Sequence, residues 1–164
     1  MSYTKFFKGP IKLFPLPGTE EYVGKIAKWL AKSYFNEIKS KNLDIVEFFL
    51  MDEEEEKLLN NYNGDIEEFI AKFIVGGFDY FAHKNGAIEV SIKNSARRKD
   101  AYVFHTFSEV DIVDYNGVNR HLSLSDQELL LYNTLDAFLE AKVERVTIFE
   151  MNLGQARSDR PKGR

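Results

Sequence analysis

The chain of 164 residues carries 44% apolar side chains and an aromatic set of fourteen Phe, eight Tyr and one Trp, enough for one domain with a substantial core and too apolar for a disordered linker. The complete lack of Cys excludes disulfides, thiolate metal centres and cysteine nucleophiles. A net charge of −4 disfavours a broad nucleic-acid-binding face, but it hides a segregation: eight lysines against three glutamates up to Lys41, two lysines against eleven acids from Asn42 to Ala82, and a balanced remainder that ends in a basic tail.

Residues 1–18 mix aromatics with lysines and reach Pro15-Leu16-Pro17-Gly18, a pattern that excludes a helix and predicts an extended arm. Lys5, Lys8, Lys12 and three prolines break any apolar run there, so no secretory signal peptide is expected and the protein is placed inside a cell or in a virus particle. No stretch approaches the roughly 20 apolar residues that span a bilayer, and no membrane partner is expected. A single α+β domain is expected over 19–153, followed by a basic tail over 154–164.

Thr19 before Glu20 and Glu21 reads as an N-cap, and Val23, Ile26, Leu30 and Tyr34 recur at helical spacing to about Ser40. Around the acid run Asp52 to Glu56, the residues Ile45, Phe48, Phe49, Leu50, Leu58 and Leu59 fit two short helices or a strand followed by a helix, with helix the expectation. Asp65 caps a further helix carrying Ile66, Phe69, Ile70 and Phe73, and Gly76-Gly77 predicts a kink or break before Phe81.

The period then changes. Ile88, Val90 and Ile92 alternate with polar residues as in a half-buried strand, and two apolar runs, Tyr102 to Phe107 and Val110 to Tyr115, read as one bent strand or two. Asn116-Gly117 predicts a two-residue type I′ hairpin. Ser125-Asp126-Gln127-Glu128 reads as a capping box for a helix to about Lys142, and Val143 to Met151 as a last strand. The fold expected is therefore α+β: a helical N-terminal half packed with an antiparallel sheet of about four strands and one crossing helix.

Catalysis finds little support. His83 reads as a helix-end residue. A two-residue hairpin sets Ile112 opposite His121 and Asp114 diagonally beside it, about 7–8 Å away, a carboxylate and imidazole pairing found in general-base and metal sites and equally on plain surfaces. With His105 and Asp111 this gives one alternative, a metal-assisted hydrolase. GxxxxGK[ST] and GxGxxG are missing, Glu140-Ala141-Lys142 falls at a helix end, and residues 52–56 lack the alternating ligands and glycine of a calcium loop. No catalytic residue, metal or cofactor is assigned.

Binding finds more. Arg97, Arg98 and Lys99 on a loop, and Arg157, Arg160, Lys162 and Arg164 in the tail, suit phosphates or an acidic protein face. Phe6, Phe7 and Phe14 are too apolar to lie free in water and suit an arm laid on a neighbouring subunit. Basic ends and an acidic middle fit copies of one chain packing head to tail, as in a ring. The expected function is a non-enzymatic structural subunit of a multi-subunit assembly, in its concrete form a viral connector or tail-ring component. A small nucleic-acid-associated protein and an acidic mimic of DNA are further alternatives.

Overall fold

The computed structural model describes residues 10–83, 87–108, 110–114 and 116–152. In chain order its elements are β1 (Ile11–Pro15), α1 (Glu20–Lys41), α2 (Ile45–Phe49), α3 (Glu53–Asn60), α4 (Ile66–Phe73), β2 (Phe78–Ala82), β3 (Ile88–Ile92), β4 (Asp100–His105), β5 (Val110–Val113), β6 (Asn119–Leu122), α5 (Leu124–Glu140) and β7 (Arg145–Glu150). Among the described residues no helix is long and apolar enough to cross a membrane.

The expected four-stranded antiparallel sheet is corrected. The main sheet has three strands in the order β1-β4-β7, parallel throughout, and the antiparallel pairs β2-β3 and β5-β6 are separate two-stranded ribbons. The physical reason lies in β4, which is buried along almost its whole length instead of on alternate residues. Such a strand needs cover on both faces, the condition under which parallel sheets form. Long connections meet the crossover requirement, from α1 to β3 between the first pair and from β5 to α5 between the second.

Side chains alternate across this sheet into two cores. Ile11, Leu13 and Phe104 pack with Val23, Ala27 and Ala31 of α1 and with Ile70 and Ile74. Phe14, Ala101 and Val103 pack on the opposite side with Leu130 and Phe138 of α5 and with residues of both ribbons. The arm expected over residues 1–18 is thus, over its described part, an internal strand. Besides pairing with β4, Leu13 exchanges backbone hydrogen bonds with Ile74 and Gly76 on its other side. Gly76 has to be glycine, because a Cβ there would stand 2.1 Å from the Phe14 ring.

The helices meet their local signals in part. Asp44, Asp52 and Asp65 each accept backbone N–H bonds at the starts of α2, α3 and α4, and Asp52 forms a reciprocal capping box with Glu55. Thr19 occupies the N-cap position of α1, but its hydroxyl donates to Leu16 and Phe104 carbonyls and ties the helix to the sheet. The chain breaks after α4 as Gly76-Gly77 suggested and continues as β2, so His83 follows a strand and not a helix. The capping box of α5 is Ser123 with Asp126, two residues earlier than expected.

The hairpin at Asn116-Gly117 forms with a different turn. Gly117 N donates to Asp114 O, Asp114 N donates to Val118 O, and Gly117 has φ 77°, a three-residue connection ending in a left-handed glycine. The additional residue shifts the register by one, so Asp111, and not Ile112, faces His121.

Candidate functional site

Two exposed helical surfaces of opposite charge stand out. The buried face of α1 consists of Val23, Ala27, Ala31 and Ile38, and this leaves Lys25, Lys28, Trp29 and Lys32 outward. Trp29, the only Trp of the chain, is 71% exposed. Lys25 pairs with Glu21 one turn away, an exposed contact of small energy that leaves the helix face cationic. An exposed indole among lysines presents a large apolar area with a cationic rim, the composition of an interface anchor.

The second surface lies at residues 50–58. Leu50 ends α2 in the left-handed region at φ 47°, which turns its side chain into solvent, and Leu58 on α3 is 63% exposed. Glu53, Glu54 and Glu56 surround them, all exposed. Glu55 points the other way. Its carboxylate accepts from Lys12 Nζ and Lys99 Nζ, each at 3.2 Å, and from Asp52 N. The acid run therefore divides into exposed charge and an internal clamp that fastens α3 to β1 and to the residues before β4. Its exposed members, Glu53, Glu54 and Glu56, give α3 an acidic outer surface.

The residues singled out in the sequence take very different places. Phe14 is 0% exposed, with its ring against Phe78 and Phe138, and so is unavailable to a neighbouring subunit in this fold. Lys99 is 2% exposed and donates to Phe49 O, Leu50 O and Glu55, so it is a structural group and not a phosphate contact. Its neighbours Arg97 and Arg98 are exposed on the same loop. Phe6, Phe7, Arg157, Arg160, Lys162 and Arg164 lie outside the described residues.

The expected pairing of Asp114 with His121 is replaced. Asp114 is buried and accepts from Asn116 N, Val118 N and Arg120 Nε, contacts that hold its carboxyl below the usual range, with the Val118 N–H as the largest cause. His121 Nδ1 instead lies 2.9 Å from Asp111 Oδ1, with both side chains largely in water. His105 is fully buried on β4, edge-on to Phe107, and neither ring nitrogen has a hydrogen-bond partner among the described residues. Burial pushes its pKa down, against the opposite pull of the Gln127 backbone and Glu150. His105, Asp111, Asp114 and His121 do not converge, and among the described residues no group of three or more His, Cys, Asp or Glu is placed to hold a metal ion.

Sequence reasoning missed Trp29 as a surface residue, although a signal existed: it falls off the apolar spacing of its helix, between Lys28 and Lys32. It also missed Lys12 and Glu55, which are 43 positions apart and gave no local signal. No known protein family matches this chain, and no similar curated protein or solved structure was found.

Proposed function

We propose that the protein is a non-enzymatic assembly subunit whose copies join through the cationic Trp29 face of α1 and the acidic, leucine-bearing surface at residues 50–58. One observation carries this reading: two surfaces of opposite charge, each centred on large exposed apolar side chains, coexist on one chain without covering each other. Contact between two different patches is head to tail, and it closes into a ring or extends as a filament according to the rotation between copies. A connector or tail ring of a virus particle is the concrete form. The terminal segments with Phe6, Phe7 and the arginines of the tail would add to the same contacts. A nucleic-acid-associated role is the second reading, favoured by the exposure of Arg97 and Arg98.

The test is solution mass by light scattering at low and high salt, on wild type, on a triple variant Lys25→Glu, Lys28→Glu, Lys32→Glu, and on its counterpart Glu53→Lys, Glu54→Lys, Glu56→Lys. Discrete multimers are expected for wild type at low salt, monomers for either variant alone, and multimers again when the two variants are mixed. A wild-type monomer at every salt and concentration overturns the self-assembly. Salt-dependent binding to an oligonucleotide that is lost in Arg97→Ala, Arg98→Ala would move the function to the second reading.

A further inference from the structure

The internal clamp borders a cavity of about 340 Å³ between α3, α4 and residues 93–95, with Lys12 on its lining. The two lysines of the clamp are unequal. An ammonium has three donors. Lys99 uses all three, on Phe49 O at 2.7 Å, Leu50 O at 3.0 Å and Glu55 Oε2 at 3.2 Å. Among the described residues Lys12 has Glu55 Oε1 as its one acceptor and otherwise lies 4.6 Å from the centroid of the Phe73 ring. Both are 2% exposed, so two buried ammonium groups face one buried carboxylate.

That imbalance is costly in a medium of low dielectric. Burial correspondingly pushes the Lys12 pKa down, while Glu55 and Asp52 act in the opposite direction and Lys99 adds to the fall. Of the other charges at the cavity, Glu54 stands exposed on its lining and the rest have partners. Asp52 is exposed and bonded to Glu54 N and Glu55 N, Lys72 pairs with Glu68, and Lys93 pairs with Asp79. Asn94 and Ser95 form one side of the wall, and Leu58, Tyr62, Phe69 and Phe73 form an apolar and aromatic side, with the Tyr62 and Phe69 centroids 5.2 Å apart and Phe69 stacked with Phe73. A cavity of this size, with an aromatic wall and one group of unmatched charge, has the makeup of a small-ligand site.

We propose that this cavity binds a small aromatic monocarboxylate, whose negative charge meets the donors that Lys12 has left and whose ring lies among Leu58, Tyr62, Phe69 and Phe73. Such a ligand supplies the anion that the clamp lacks. It joins elements that are distant in sequence, and so raises the stability of the region by mass action. The site adjoins the acidic assembly surface, with which it shares Glu54 and Leu58, and it is read out by the unfolding midpoint instead of by solution mass.

The experiment is thermal unfolding of the full chain with benzoate or phenylacetate, against acetate and benzyl alcohol as probes of charge alone and ring alone. A rise of about 4 °C is expected for an aromatic acid at tenfold its Kd. Acetate and benzyl alcohol are expected to give none. The rise should disappear in Lys12→Met, which keeps the chain length of the side chain and removes its charge. Leu58→Trp, which fills the cavity from the solvent side and leaves the clamp intact, should abolish it as well and decides the matter if Lys12→Met does not fold. No rise with either aromatic acid, or an equal rise in both variants, overturns the site.

Discussion

Lys12 and Lys99 are buried against Glu55 on the inner side of α3, whereas Lys25, Lys28 and Lys32 stand in solvent along α1 only a few turns of helix from one another. The residue types are the same and the consequences differ. Inside, every charge has lost its hydration, so the geometry of its replacement partners decides whether it can be tolerated, and removing one partner strands the others. Outside, water and salt screen each lysine, so the helix is indifferent to its neighbours and the charge remains free for another molecule. The same acid run serves both roles, Glu55 inward and Glu53, Glu54 and Glu56 outward, because successive residues of a helix point about 100° apart.

The strongest way to break this contrast is Glu55→Ala. Two buried ammonium groups would then have no carboxylate, and a loss of about 3–5 kcal/mol is expected from urea unfolding. A loss no larger than that of an exposed substitution would show that the clamp is already open to water. If the cost is electrostatic, it should be partly relieved by adding Lys12→Met to the same variant.

A smaller effect tests the burial of a titratable ring. His105 titrates with a folded pKa below its ordinary 6.5 because burial disfavours its charged form. Its contribution to stability is therefore complete above pH 6.5 and is lost as pH falls through the folded value. The urea midpoint should drop between pH 7.5 and pH 5.5, a window above the range in which Asp52, Asp114 and Asp126 titrate, since their carboxyls are held below the ordinary 3.8. The part of that drop due to His105 should vanish in His105→Phe, and an unchanged pH dependence in that variant would sink the assignment.

The smallest effect is expected at the surface. Lys25→Ala removes the exposed pair with Glu21 and should leave the unfolding midpoint unchanged at physiological salt. A midpoint shift comparable to that of Glu55→Ala would mean that α1 is stabilised by its outer face.

Much of this protein was legible locally. Asp65 marked a helix start, Gly76-Gly77 marked a break, and the alternation Ile88, Val90, Ile92 marked a strand, since N-caps, turns and amphipathic periods act over three or four residues. Charge segregation was legible too, though not which charges would be buried. Glu55 and its neighbours are identical in sequence terms, and only the approach of Lys12 and Lys99 from other elements distinguishes it.

Strand pairing was not legible. β1 was read as an arm because its prolines exclude a helix, and nothing local reveals that β4 and residues 74–76 flank it. The hairpin was found, but its register moved by one residue with the turn, which exchanged the partner of His121. The sequence by itself determined the helices α1, α4 and α5 to within a few residues, the place of the hairpin and the uneven charge, because each follows from contacts between near neighbours. The tertiary structure alone decided the parallel sheet, the clamp at Glu55 and the burial of Phe14, because each depends on contacts between residues tens of positions apart, whose closure only the packing of the whole chain can offset.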